Sequence, residues 1–291
     1  MEIRPLTPDL GAEVQGFDPR RAGEEAWAEI EAAFTRYAML AFRGLSLTPE
    51  EQVAMTRRFG AVLRVPYVQH LEAHPDIIAV LKEADERRIS TFGGTWHSDF
   101  SFLERPPKAT LLYALELPPV GGDTLWASQY RAFEALSSGL QELLLGLRCV
   151  QTGWPHGTKG PKGQEGLSRS VKMVRGDPEA DREVEHPVVR RHPESGRPAL
   201  FVNPVYTQRF AGMTEAESAP LLRFLYEHAV RPEFTCRLRW EPGTLALWDN
   251  RATLHLAIND YDGHRRLLHR TTVAGERPLA AREPAPLAAA E

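Results

Sequence analysis

His97 and Asp99 lie two residues apart in Gly93-Gly94-Thr95-Trp96-His97-Ser98-Asp99-Phe100-Ser101-Phe102, and their types and spacing suit metal chemistry. In an extended backbone such residues project from one face, so imidazole and carboxylate can take adjacent positions on an ion. One further histidine from a distant strand completes a two-histidine, one-carboxylate face. That face leaves positions open, as non-haem ferrous iron requires for a co-substrate and O2. Alone, the H-x-D pair is a weak signal. Ten histidines compete for the third place. His192 precedes Pro193 near a turn, and His228 ends a predicted helix, where positive charge is favourable. These and most of the others read as satisfied or exposed imidazoles. His255 differs, because it follows Leu247-Trp248-Asp249-Asn250-Arg251-Ala252-Thr253-Leu254, where an apolar strand runs into a turn and out again.

Eleven residues further on comes Arg265-Arg266-Leu267-Leu268-His269-Arg270. Strand parity places Arg266 and Arg270 on one face, along with His264. Guanidinium groups grip carboxylates bidentately, so an arginine here can anchor a dicarboxylate. Two surface arginines on an edge strand are the plainer alternative.

The elements that must position these residues are legible in part. Residues 24–37 carry Ala26, Ile30, Ala33 and Phe34 at helical spacing. Thr48-Pro49-Glu50-Glu51 is a capping box opening a helix to about Phe59, and Thr214 with Glu217 opens another ending near Ala229. Residues 128–147 read as a further helical region. Short strand signals fall at 77–81, 109–115, 188–192, 199–202, 235–240, 244–248 and 266–273, separated by turn formers such as Gly121-Gly122-Asp123 and Glu241-Pro242-Gly243. Strands that do not alternate regularly with helices argue against a doubly wound parallel sheet. The pattern suits a mainly β chain with flanking helices (α+β), built on a jelly roll. Residues 1–276 form one domain, and the Pro- and Ala-rich tail 277–291 reads as loosely held. Between residues 153 and 185 the chain is polar and Gly-rich, which fits a plain loop or a lid over a site.

Composition narrows the partners. A formal charge of −4 and a pI near 6.2 give no general pull towards nucleic acid. No apolar run is long enough to span a membrane, and the first residues lack a secretory pattern. Cys149 and Cys236 form neither a metal-binding pair nor a disulfide framework, which points to the cytoplasm.

Together the segments resemble the taurine dioxygenase and 2,4-dichlorophenoxyacetate dioxygenase family. The matching pieces are Leu10-Gly11-Ala12-Glu13-Val14, Trp96-His97-Ser98-Asp99, Gly121-Gly122-Asp123-Thr124-Leu125-Trp126 and His186-Pro187-Val188-Val189-Arg190. They continue with Leu200-Phe201-Val202-Asn203, Trp248-Asp249-Asn250-Arg251 and Arg266-Leu267-Leu268-His269-Arg270, so that family order holds along nearly the whole chain. The resemblance implies a double-stranded β-helix core and an Fe(II)- and 2-oxoglutarate-dependent dioxygenase that uses O2 and releases succinate and CO2. It assigns His97, Asp99 and His255 as iron ligands, and Thr124 with Arg266 as the grip on the distal carboxylate of 2-oxoglutarate. Asp99 disfavours halogenation, because halogenating relatives lack the carboxylate ligand. Arg270 matches a position that often meets an anionic substrate, an internal carboxylate partner being the alternative. Phe100, Phe102 and Tyr206 suggest a substrate pocket more apolar than taurine requires, so a small alkyl or aryl sulfonate, sulfate, carboxylate or phosphonate is expected. A homo-oligomer would suit the family. A metal-dependent hydrolase and a non-catalytic jelly-roll binding module are the rivals; the first leaves Arg266 and Thr124 without a role, and the second leaves the complete ligand set without one.

Overall fold

Apolar runs such as Met39-Leu40-Ala41-Phe42 and Leu245-Ala246-Leu247-Trp248 show no alternation, because both faces of the sheet they form are covered. The computed structural model describes residues 1–87, 92–160 and 171–282. In chain order its strands are β1 (Glu2–Pro5), β2 (Ala12–Gln15), β3 (Met39–Phe42), β4 (Ile78–Lys82), β5 (Ala109–Glu116), β6 (Thr124–Ser128), β7 (Arg148–Gln151) and β8 (Val184–Pro187). They continue as β9 (Val189–Arg191), β10 (Pro198–Leu200), β11 (Thr207–Phe210), β12 (Thr235–Leu238), β13 (Leu245–Asp249), β14 (Thr253–Ala257), β15 (Arg266–Val273) and β16 (Leu279–Ala280). Seven of them make one sheet in the order β1-β2-β3-β13-β5-β15-β4, and the small sheets are β12-β6-β14, β11-β7-β8 and β10-β9-β16. The long crossovers between sheets are those of a jelly roll, as the strand pattern predicts.

Parity sorts the large sheet's side chains into two cores. Leu40, Phe42, Leu111, Leu245 and Leu247 face outward against helices α1 (Glu24–Tyr37) and α2 (Pro49–Arg58), meeting Trp27, Ile30, Phe34 and Met55. Met39, Leu112, Ala246, Trp248 and Leu268 face inward against Trp126 and Cys236 of the β12-β6-β14 sheet. Each large side chain so buried contributes about 1.5–3 kcal/mol. A third core lies under α3 (Gln129–Glu134), α4 (Ser138–Leu145) and α5 (Glu215–Ala229).

The helices α1, α2 and α5 fall where the sequence predicts, and both capping boxes are formed. Residues 128–147 do not make one helix. The chain breaks after Glu134, and Ser137, extended at φ −59° and ψ 151°, starts α4 afresh. Nor is the start of the tail loose. Leu279 and Ala280 pair with Arg191 and Arg190, and Arg282 bridges to Glu142; the remainder, 283–291, lies outside the described residues. The alternative of two surface arginines on an edge strand does not hold for Arg266 and Arg270. Strand β15 is flanked by β4 and β5, and both guanidinium groups point to the inner face beside Leu268. His264 does not join them, because the turn at Gly263 (φ 89°) leaves it exposed ahead of the strand.

Candidate metal centre

His97 and Asp99 do not lie on a strand, contrary to the extended segment expected of them. Only His97 is paired, through an isolated antiparallel bridge in which its N–H donates to the His255 carbonyl (3.1 Å) and the His255 N–H donates back (2.8 Å). Asp99 opens a turn, and Phe100 adopts a left-handed conformation (φ 44°). The two side chains converge all the same because the turn is held from outside. The Ser98 hydroxyl donates to the Asn250 carbonyl (2.7 Å), and the Asp99 N–H donates to Asn250 Oδ1 (3.4 Å). Asn250 also accepts from Trp248 Nε1 (3.0 Å) and donates through Nδ2 to Thr110 Oγ1 (3.0 Å). Thr110 in turn donates to Asp99 Oδ2 (2.7 Å), closing the ring.

Arg270 supplies a second partner to the same oxygen, with Nη2 3.1 Å from Asp99 Oδ2. Asp99 Oδ1 is left facing His97 Nε2 at 3.6 Å and His255 Nε2 at 3.7 Å. These gaps exceed hydrogen-bond length, yet two metal–ligand bonds of about 2.1 Å span them. One ligand atom from each of the three residues lies within 4.8 Å of the others. Protonation agrees with ligation. The His97 Nδ1–H donates to the Thr95 carbonyl (2.7 Å), which leaves Nε2 with its lone pair towards the centre. Burial, joined by the neighbouring His97, pushes His255 well below the ordinary imidazole range and keeps it neutral. Burial works to raise the Asp99 carboxyl, but Arg270 and the two imidazoles hold it well below the usual carboxylate range. Two imidazoles and an ionised carboxylate so placed fit a divalent cation.

His255 owes its place to a buried ionic clamp at the β13–β14 turn. Asp249 takes a hydrogen bond from Arg251 Nη2 (2.7 Å) and lies 3.0 Å from His192 Nε2. Arg251 reaches on to Glu194 (2.9 Å), which secures the turn from the far side.

The residues expected to hold a dicarboxylate meet around Trp240. Thr124 Oγ1 accepts from Trp240 Nε1 (3.0 Å), and Arg266 lies 5.7 Å above the same ring and above Tyr261. Arg266 is 4 % exposed, donates through Nη2 to the Gly122 carbonyl (3.0 Å), and keeps a buried Nε with no acceptor. Burial lowers its pKa, and no carboxylate among the described residues pairs with it. Gly122 makes this approach possible, since a Cβ there would stand 3.0 Å from Arg266 Nε at a φ of 71°. A lone buried guanidinium with an unused N–H fits an incoming carboxylate.

A cavity of about 460 Å³ opens beside His97 and Asp99. Phe100 and Tyr206 line it as expected. Phe102 does not; its ring stands behind, packed on Tyr206 (5.0 Å) and Tyr67 (5.3 Å). Arg270 also sits outside the lining, beneath Phe100 (5.4 Å), where Asp99 is its partner. The internal-carboxylate alternative thus holds for one edge of this arginine. Trp154, His156, Met173 and Arg175 line the cavity from the 153–185 segment, of which 161–170 lies outside the described residues. Composition concealed them, although an aromatic Trp154-Pro155 in a polar stretch was a usable signal. His156 packs on Tyr67 (4.9 Å, rings tilted by 32°), and burial with the nearby Arg175 charge lowers it to about 4.

The Asn250 ring predicts its own test. Asn250→Ala should leave the Trp248 Nε1–H and the Asp99 N–H without their acceptor, costing about 1–3 kcal/mol, and should weaken divalent-metal binding by loosening Asp99. Anaerobic metal titration and thermal melts of this variant against Thr110→Val check it; unchanged metal affinity in both would remove Asn250 from the site's support.

A family model described as "Taurine catabolism dioxygenase TauD, TfdA family" matches residues 2–272. The chain is 34 % identical over 283 residues to an alpha-ketoglutarate-dependent sulfate ester dioxygenase of Pseudomonas putida, spanning 96 % of this chain and 91 % of that protein. It is 32 % identical over 290 residues to the alpha-ketoglutarate-dependent 2,4-dichlorophenoxyacetate dioxygenase of Cupriavidus pinatubonensis, spanning 92 % and 96 %. A solved taurine dioxygenase from Burkholderia xenovorans superposes with a TM-score of 0.79 at 35 % identity, over 96 % of this chain and 92 % of that one.

Proposed function

The chain belongs to the taurine catabolism dioxygenase TauD, TfdA family, and on that premise we propose that this 2-oxoglutarate-dependent dioxygenase hydroxylates a small organic anion with an apolar tail. The observation that carries the reading is the set of two imidazoles and a carboxylate, His97, His255 and Asp99, facing one another across gaps too long for hydrogen bonds. These residues would hold Fe(II), which when bound supplies O2 activation coupled to decarboxylation of 2-oxoglutarate to succinate and CO2.

The chain's own residues do the positioning. Thr110 and Arg270 tie down Asp99 Oδ2 and so reserve Oδ1 for the metal. Arg266 and Thr124 would receive the distal carboxylate of 2-oxoglutarate, directing its other end towards the metal. Phe100, Tyr206 and Trp154 line the cavity with ring surface that aligns an apolar tail and excludes water, and Phe102 backs Tyr206. At about 460 Å³ the cavity is of a size that holds ligands well beyond taurine. Relatives named for sulfate esters and 2,4-dichlorophenoxyacetate support an alkyl or aryl anion. Arg270 adds positive potential beneath the substrate. A hydrolase would leave Arg266 buried without purpose. Both cysteines are buried and unpaired, with thiols pushed up to about 12 by burial, which supports a reducing compartment such as the cytoplasm.

Succinate release measured across alkyl sulfates, alkanesulfonates, aryloxyalkanoates and phosphonates, with amines and neutral alcohols as comparison, tests the reading. Stimulation by one or more anion classes is expected. Stimulation by cationic or neutral compounds alone would overturn the anion assignment.

A further inference from the structure

Four consecutive residues of the turn between β14 and β15 each meet a different part of the centre. Asn259 lines the cavity, and Asp260 Oδ1 accepts from the Gly122 N–H (2.7 Å). Tyr261 is 3 % exposed and has the Arg266 guanidinium 5.7 Å from its ring centre. Asp262 Oδ1 accepts from Lys82 Nζ (2.8 Å). The same ammonium donates to Asn259 Oδ1 (2.6 Å) and stands 4.7 Å from the Tyr261 ring. Lys82 thus grips the turn on both sides of Tyr261 and at the ring itself. It is the only buried lysine among the described residues. Strand pairing brings it there: Lys82 of β4 is the direct cross-strand partner of Arg266 on β15, so both side chains project from one face. Two cations side by side in the interior repel each other and cost stability unless they are compensated. Asp262 bonds to Lys82, while no carboxylate among the described residues is in salt-bridge contact with Arg266. Burial lowers the Arg266 pKa, and Tyr261 leads the groups that oppose it.

We propose that Lys82 is a positioning residue for 2-oxoglutarate: by pinning Tyr261 against Arg266, it aims the guanidinium at the distal carboxylate. The inference rests on the reading of Arg266 as the anchor of the co-substrate, and it extends that anchor to a side chain one layer further out. A dicarboxylate entering beside Arg266 brings the negative charge that this pair of cations lacks. A turn already fixed by Lys82 spares the complex the entropy of ordering Tyr261 on binding. Because Asn259 belongs to the same grip, one ammonium holds the turn that serves both the co-substrate pocket and the cavity.

The test is an anaerobic titration of the full-length Fe(II)-loaded protein with 2-oxoglutarate, followed by the visible band of the complex and by the shift in melting temperature. It compares the wild type with Lys82→Met, Lys82→Gln, Tyr261→Leu and the double variant Lys82→Met with Tyr261→Leu. The Kd should rise about fivefold or more in Lys82→Met, the scale of one desolvated cation–π contact, with iron content unchanged. Lys82→Gln keeps a donor for Asn259 and Asp262 and should fall between; it carries the test if Lys82→Met does not fold. Tyr261→Leu should lose at least as much, and adding Lys82→Met to it should change the Kd little, because Lys82 acts through the ring. Equal Kd values in the wild type and both Lys82 variants would overturn the inference while leaving Arg266 as the anchor. So would a Lys82 effect that simply multiplies with that of Tyr261→Leu, or one accompanied by loss of iron, which would show general support of the fold. A wild type that gives neither band nor melting shift would sink the reading of the co-substrate pocket and the inference with it.

Discussion

Replacing Asp99 by alanine is expected to abolish both iron retention and succinate formation. The carboxylate supplies the only negative charge among the three proposed ligands, and its Oδ1 faces both imidazoles at 3.6 and 3.7 Å. Removing it leaves two neutral nitrogens, a weak site for ferrous iron. The fold should suffer as well. Asp99 is 2 % exposed and balances Arg270, and deleting one partner of a buried ion pair costs about 3–5 kcal/mol. Asp99→Asn keeps the volume and the Thr110 hydrogen bond but takes the charge from both the metal and Arg270, so comparing its melt with that of Asp99→Ala isolates the cost of lost packing. Iron content after anaerobic loading, and the visible band formed with Fe(II) and 2-oxoglutarate without O2, report the site; thermal melts report the fold. Wild-type iron content and turnover in Asp99→Ala would remove this residue from the centre.

The elements fixed by local chemistry were the legible ones. Thr48 with Glu51 and Thr214 with Glu217 satisfy backbone donors within four residues, so α2 and α5 could be read without knowing what they pack on. Strand β15 was readable end to end, since eight residues suffice for a pattern. Four-residue strands such as β1, β2, β7 and β8 were not, because their register depends on partners far away in the chain. Helix α4 begins at a serine that composition alone could not distinguish from the middle of a longer helix.

The site shows the same division. The pairing of His97 with Asp99 was visible from spacing, although the backbone that delivers it is one bridge and a turn and not a strand. What the spacing could not reveal is Asn250, which sits 151 residues from Asp99 and holds it through a ring of hydrogen bonds closed by Thr110. Asn250 stood in a segment already noted, Trp248-Asp249-Asn250-Arg251, but its task exists only in the folded chain. Parity correctly put Arg266 and Arg270 on one face, yet not which would have a carboxylate beside it. That depends on Asp99 lying beside one and Gly122 beside the other. Phe102 and Trp154 exchanged places for a similar reason: turn geometry at Phe100 sends Phe102 behind the cavity, while the 153–185 segment brings Trp154 to its wall.

Arg266, the arginine with no carboxylate in salt-bridge contact, carries the second large effect. Arg266→Ala should raise the KM for 2-oxoglutarate by about thirtyfold or more, the usual range for losing one partner of a buried, hydrogen-bonded charge pair. The KM for the primary substrate should change much less. Without 2-oxoglutarate the Arg266 charge meets the Gly122 carbonyl, the Trp240 and Tyr261 side chains and the more distant Asp123, and burial still outweighs them. Substituting methionine, which fills the space without charge, should therefore leave the ligand-free protein as stable as the wild type or more so. Stabilisation by 2-oxoglutarate follows its affinity, and should be clear in the wild type and nearly absent in Arg266→Ala and Arg266→Met. Arg266→Lys should fall between, keeping a charge but losing the paired N–H groups. Melting curves of the four proteins, each with Fe(II) and increasing 2-oxoglutarate under anaerobic conditions, read this directly without turnover. If the co-substrate stabilises Arg266→Ala as much as the wild type, its distal carboxylate is held elsewhere and the pocket around Trp240 has another use.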